Sequence, residues 1–162
     1  MQSQIKIACC VVLIVGGAAT TAAAAGEDHE FRRHAPGIFI GNADERGGGD
    51  DYTLGIEYEY RFNRNWGVGM VYEHTPGGHD NDGTTLALAN GYYHPYKGWR
   101  VGLGGGREKV HGSHGYYSWV YRAGAAYDFH VGNFGVAPSV SYDVIESHDN
   151  VLVYGIALTY PF

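Results

Sequence analysis

His111, Gly112 and Ser113 place an imidazole two residues from a hydroxyl. A histidine that takes the proton of a serine, oriented by a carboxylate, is the general arrangement of a hydrolase. Here the triplet runs on into His114 and Gly115, in a stretch where no regular element fixes its geometry. The nine histidines form a second candidate. His74, His79, His111, His114 and His148 fall in or beside polar segments that also carry Asp80, Asp82 and Asp149. Converging imidazoles and carboxylates bind zinc, copper or nickel. A His111-x-x-His114 pair on a loop is nonetheless a weak ligand frame, and solvated, pH-responsive loops account for the same residues. Asp80-Asn81-Asp82-Gly83 resembles the start of a calcium loop, but the twelfth position is Gly91 where a bidentate glutamate is required. The glycine run Gly102 to Gly106 is not a phosphate loop, because no helix follows it. No cofactor is expected.

The elements that must position these residues are legible at the end of the chain. Leu152, Tyr154, Ile156, Leu158, Tyr160 and Phe162 alternate with Val153, Gly155, Ala157, Thr159 and Pro161. A period of two puts one set on each face of a strand. One face is large and apolar, the other slim, which suits a wall with lipid outside and a crowded interior within. Strand two, residues 52–62, repeats the pattern. Tyr52, Leu54, Ile56, Tyr58, Tyr60 and Phe62 share one side, while Glu57, Glu59 and Arg61 share the other. An Arg or Lys facing lipid at the midplane costs about 2–4 kcal/mol, so a membrane demands this segregation.

Further strands are expected over residues 34–43, 66–74, 84–93, 99–108, 117–129 and 134–145, with the last over 151–162. Three tight turns (63–65, 94–98 and 130–133) alternate with four longer polar loops. Eight antiparallel strands of bilayer-crossing length make an all-β, up-and-down transmembrane barrel. Aromatic residues form two girdles. Tyr60, Phe62, Trp66, Tyr92, Tyr93, Trp99, Phe129, Phe134, Tyr160 and Phe162 gather at the turn end; Tyr52, Tyr72, Tyr116, Tyr117 and Trp119 gather at the loop end. Two positions fit badly: Asn90 falls on the outward phase of strand four, where Gly91 would mark a bulge, and Arg107 on that of strand five.

Residues 1–25 read as a cleaved signal peptide, with Lys6, an apolar run and an alanine-rich cleavage region. Residues 26–33 follow as a flexible lead-in, and residues 34–162 as the barrel domain. Both cysteines, Cys9 and Cys10, lie in the signal, which excludes thiol chemistry in the mature chain. Removing Lys6 leaves 10 basic residues against 17 acidic ones, a poor balance for nucleic acid.

Eight strands leave an interior that side chains fill, so a diffusion pore is not expected. Glu57, Glu59, Arg61, Glu73, Arg100, Glu108, Arg122, Asp128 and Asp143 all fall on the inward phase. Acids and arginines at matching heights form a plug of ion pairs. The alternative use of such a set is a narrow proton or ion path.

The IFIG of strand one, YEYRFNRNWGVG at residues 58–69, the Tyr93-to-Gly98 turn and the closing YPF resemble small eight-stranded outer-membrane proteins of the OmpX or OmpA-transmembrane type. The resemblance implies a monomer in the bacterial outer membrane, surrounded by lipid and lipopolysaccharide. It also implies roles in envelope integrity, adhesion or surface interaction. The outward set Tyr154, Ile156, Leu158, Tyr160 and Phe162 resembles the C-terminal signal by which such barrels engage the barrel-assembly machinery. Lipid A 3-O-deacylases are also eight-stranded barrels with a His-x-Ser motif, so His111 and Ser113 carry a hydrolase alternative. Here the motif continues as His-Gly rather than Asn-Ala.

Overall fold

The computed structural model describes residues 31–45, 49–77, 82–146 and 149–162. The expected signal peptide lies outside the described residues, as do His79, Asp80 and His148. The strands are β1 (His34–Glu45), β2 (Gly49–Arg61), β3 (Trp66–Thr75), β4 (Thr84–Tyr93), β5 (Trp99–Val110), β6 (Tyr117–Tyr127), β7 (Phe129–Val131), β8 (Phe134–Ile145) and β9 (Val151–Thr159). Each pairs antiparallel with its neighbours, and the β1–β9 and β6–β8 pairings close the sheet on itself. β7 only extends the β6 stave past a break at Asp128, so the barrel has eight staves. At the break, the Asp128 amide donates to the Gly98 carbonyl at 2.6 Å. The fold is an eight-stranded, antiparallel, up-and-down transmembrane β-barrel.

Where β1 meets β9, the His34 amide donates to the Phe162 carbonyl at 3.0 Å, and the Phe162 amide returns a bond to His34 at 2.8 Å. Pro161 lies beyond β9, so this pairing continues past a residue that has no donor. Pro138 sits inside β8 opposite Ile156 and faces outward. The lead-in residues also meet the barrel. Arg32 Nη1 donates to the Pro161 carbonyl at 2.9 Å, and the Arg33 carbonyl accepts from the Arg61 amide at 2.8 Å.

Several boundaries differ from the sequence expectation. β1, β2 and β5 extend further toward the loop end, because the hairpins continue to pair after the apolar pattern has stopped; Asp44, for example, pairs opposite Asp50. The turn expected at residues 130–133 shrinks to Gly132 and Asn133. His130 and Val131 pair with β8, and Gly132 takes the positive φ of 62° that so tight a reversal demands.

The largest correction concerns β4. Its register with β3 is unbroken from Trp66 opposite Tyr93 to Thr75 opposite Thr84, so Gly91 marks no bulge. Trp66 and Tyr93 both face outward and their rings lie 4.7 Å apart. Strict alternation then turns Tyr92, Asn90, Leu88 and Leu86 inward, with Tyr92 leaving the aromatic girdle, and sends Ala87, Ala89 and Gly91 outward. Arg107 does face outward. The interior accepts the larger side chains because opposing glycines leave room. A Cβ on Gly69 or Gly102 would stand 2.8 or 2.9 Å from the Tyr92 ring.

The outer face carries the residues a membrane requires: Ile38, Ile56, Met70, Leu103, Val140 and Leu158 all point away from the interior. Inside, Phe39, Val71, Leu86, Leu88, Val120, Ile145 and Val153 belong to one buried apolar cluster, so the interior is polar only in part. Gly69→Val puts carbon against both Tyr92 and the Tyr58 carbonyl, and should destabilise the barrel by at least about 1–3 kcal/mol. Urea unfolding in lipid vesicles checks this, with Gly105→Ala as control; its Cβ would meet Tyr121 at an ordinary 3.6 Å.

Candidate functional site

The inward charges assemble into two groups at different heights. Near the turn end, Arg100 of β5 sends Nη1 and Nη2 to one oxygen of Glu57, both at 3.1 Å, and approaches Glu59 at 3.7 Å. Its guanidinium carbon lies 5.2 Å from the centre of the Tyr92 ring, a cation–π contact. Arg61 reaches Glu59 at 3.2 Å and Asp128 at 3.8 Å. Glu59 is 1% exposed, so its charge survives only because cationic partners surround it.

The second group centres on Arg122 of β6. Nη1 and Nη2 contact the two oxygens of Glu73, both at 2.7 Å, while Nε and Nη2 contact the two oxygens of Asp143 at 2.6 and 2.7 Å. One guanidinium therefore holds two carboxylates by paired bonds, the geometry in which a planar cation recognises an acid most strongly. These contacts tie β6 to β3 across the lumen and to its neighbour β8. Glu108 is buried further toward the loop end.

Between the two groups lies a cavity of about 60 Å³ bordered by Asn90, Tyr92, Ser139, Ser141, Arg100 and Arg122. Phe39, Val71 and Val153 also line it, but the polar side chains suffice to hold water, and the space is large enough for it. Above Arg122 the apolar side chains of Leu86, Val120, Ile145 and Val151 narrow the lumen, with a Thr53–Thr75 hydroxyl bond of 2.7 Å beside them. The space left there is about 20 Å³, on the scale of one water. The interior is a layered plug.

His94 belongs to this interior and was missed by the sequence reading. Its Nε2 lies 2.6 Å from Glu59 Oε1. Two residues beyond Tyr92 in a period of two, His94 faces inward once the register of β4 with β3 sets the phase of the strand. The hydrogen bond from Asn90 Nδ2 to the Tyr92 hydroxyl, at 3.1 Å, was hidden by the same inversion.

At the loop end, His111 is occupied elsewhere than with Ser113. Its amide donates to the Gly83 carbonyl at 2.9 Å, and its Nε2 pairs with the Thr85 hydroxyl at 2.8 Å. Its ring lies 6.1 Å from that of His74, whose Nδ1 is 3.1 Å from the same hydroxyl and 2.9 Å from the Thr84 carbonyl. Ser113 and His114 are exposed on the turn, where Gly112 has φ near 99°. The structure thus joins His111 to His74 through Thr85, and does not join it to Ser113. Among the described residues no three His, Cys, Asp or Glu side chains gather as a metal site. The remaining proposed ligands, His79 and His148, lie outside the described residues.

On β9, Tyr154, Ile156 and Leu158 face outward, as do Tyr160 and Phe162 just beyond it. Phe162 stacks on His34 with ring centres 5.3 Å apart and planes at 15°, and Tyr160 lies 5.3 Å from Phe134. These rings carry the turn-end girdle across the seam.

No protein-family model and no curated protein matches the sequence. Solved structures do match in fold. The attachment invasion locus protein Ail of Yersinia pestis is 20% identical with a TM-score of 0.50, over 80% of this chain and 97% of its own. The N-terminal β-barrel domain of Pseudomonas aeruginosa OprF is 14% identical with a TM-score of 0.55, over 82% of this chain and 100% of its own. Neisserial surface protein A is 13% identical with a TM-score of 0.52, over 80% and 96% respectively. At these identities the likeness establishes the small outer-membrane barrel architecture.

The ionic interior is testable in this chain directly. Arg122→Leu leaves Glu73 and Asp143 buried without their cation, and should cost about 3–5 kcal/mol. Chemical unfolding in vesicles measures this. Adding Glu73→Gln and Asp143→Asn should recover most of the loss, because the buried charges then disappear together.

Proposed function

We propose that the protein is a non-catalytic barrel of the bacterial outer membrane, exported by its N-terminal signal, that anchors polar loops at the cell surface. The observation that carries this reading is the wall itself: outward apolar side chains surround an interior filled by two ionic groups and an apolar layer. Such a wall is built for lipid outside, and its filled lumen offers no route for solutes. The connections after β1, β3, β5 and β8 all emerge at one end. Sequence variation at those tips leaves the ladder untouched, so that end suits adhesion or another surface interaction.

The outward side chains of β9 support recognition by the barrel-assembly machinery during insertion. The same reading makes the molecule a monomer, because closure leaves no strand edge for a second copy to extend.

Three measurements test the proposal. Fractionated Gram-negative cells expressing the full chain should yield it in the outer membrane, in a form whose gel mobility changes on heating. In planar bilayers the purified barrel should give no resolved conductance steps; a steady ohmic channel would overturn the plugged interior. The mass spectrum of lipid A from expressing cells should be the same for wild type and Ser113→Ala. An acyl chain lost with wild type and retained with the variant would instead establish the hydrolase.

A further inference from the structure

The inverted stave β4 leaves a groove in the outer wall. Ala87 and Ala89 of β4 and Gly105 of β5 form its floor, and the larger Met70 and Tyr72 of β3 stand on one side. On the other side, Trp119 and Tyr121 of β6 are paired opposite Arg107 and Gly105. The groove has a volume of about 570 Å³, within the range of sites that hold small ligands. The lining continues past Met70 and Tyr72 to Ile56 and Tyr58 of β2, all large outward side chains, so the floor of the groove lies on β4 and β5.

The upper end of the groove is cationic. Arg107 borders it, paired opposite Ala87, and Lys109 stands two residues higher, opposite Thr85. Both side chains face outward. The Arg107 guanidinium carbon lies 5.0 Å from the centre of the Trp119 ring and 5.6 Å from that of Tyr117; the Lys109 amine lies 5.8 Å from Tyr117. Aromatic faces thus hold the two cations on the lipid side of the wall. Among the described residues neither forms an ion pair with a carboxylate. Thr85, His74 and His111 add hydroxyl and imidazole groups along the same edge.

We propose that this groove binds one phosphorylated saccharolipid of the lipid A type, with an acyl chain along Ala87, Ala89 and Gly105 and its phosphate on Arg107 and Lys109. The two halves of the site match an amphiphile with an apolar tail and an anionic head. Two cations at successive outward positions, beside further polar groups, suit a broad sugar headgroup better than a single phosphodiester. The site opens at the loop end, where the outer leaflet lies under the reading proposed above, on which this inference rests. Arg107, a misfit on the lipid face of an isolated strand, becomes a headgroup ligand.

The test uses the purified, folded full-length barrel in detergent and native mass spectrometry. Probes are bis-phosphorylated lipid A, the same lipid stripped of its phosphates, and phosphatidylglycerol. Wild type should bind one bis-phosphorylated lipid A in preference to both others. Arg107→Ala with Lys109→Ala should bind about 30-fold more weakly, the loss expected for two basic side chains at an anionic lipid head. Ala87→Leu with Ala89→Leu fills the floor with groups that lipid tolerates, and should weaken binding while leaving heat-modifiable mobility intact. Equal affinity in wild type and both variants would overturn the site. So would equal affinity for phosphatidylglycerol, or occupation of the groove by a second barrel detected as a dimer. Failure of outer-membrane placement would show separately, in fractionation and mobility, before any lipid is added.

Discussion

A wall one residue thick separates two environments, and neither side of it tolerates an unpaired backbone amide. In hydrocarbon each unsatisfied peptide group costs several kcal/mol, so every stave must be hydrogen-bonded on both edges. The β1–β9 and β6–β8 pairings meet that demand by joining the ends of the sheet. Once the ladder is closed, the register fixes the direction of each side chain. Trp66 and Tyr93 face lipid together, and Tyr92 and Gly67 face inward together, because they are paired. The charges follow the same rule. Glu57, Glu59 and Arg61 enter the lumen on alternate residues of one strand, and meet Arg100 and Asp128 from distant staves.

How far the sequence disclosed this depends on whether the two faces of a strand differ in polarity. Over residues 52–62 they do: three charges stand against six apolar or aromatic groups, and the orientation follows from that stretch alone. In β9 they differ in size, with the large groups outward. In β4 both faces are apolar, and the larger set is the inner one. Size is a false guide there, because Leu86 and Leu88 complete a buried cluster with Phe39 and Val71, and Tyr92 uses space vacated by Gly69 and Gly102. That information lies in the neighbouring strands and becomes available only with the register. His94 escaped notice for the same reason. The rim residues were hidden differently: the His111–Thr85 contact joins the loop after β5 to β4, the strand that precedes β5, which no local spacing encodes.

The interior is organised in layers. Arg100, Arg61 and His94 gather around Glu57 and Glu59 at one level; Arg122 holds Glu73 and Asp143 at another. Water-sized space lies between them, and an apolar layer lies beyond. Each ionic layer links strands that do not otherwise touch, as Arg122 links β6 to β3 through the lumen. The cross-links resist flattening of the barrel, a deformation to which an eight-stave ring of backbone bonds alone offers less resistance. Apolar fillers would also occupy the lumen, but they would not specify which staves face one another; the forked bonds of Arg122 do.

The seam between β1 and β9 joins the first and last staves, His34 with Phe162, two residues far apart along the chain. A contact so distant along the chain carries a large loop-closure cost and forms late. Until it does, the nascent sheet has two open edges able to pair with any other strand. The time between synthesis and closure is therefore the chain's period of greatest vulnerability. A slower closure lengthens the exposure of those edges, whatever the stability of the finished barrel.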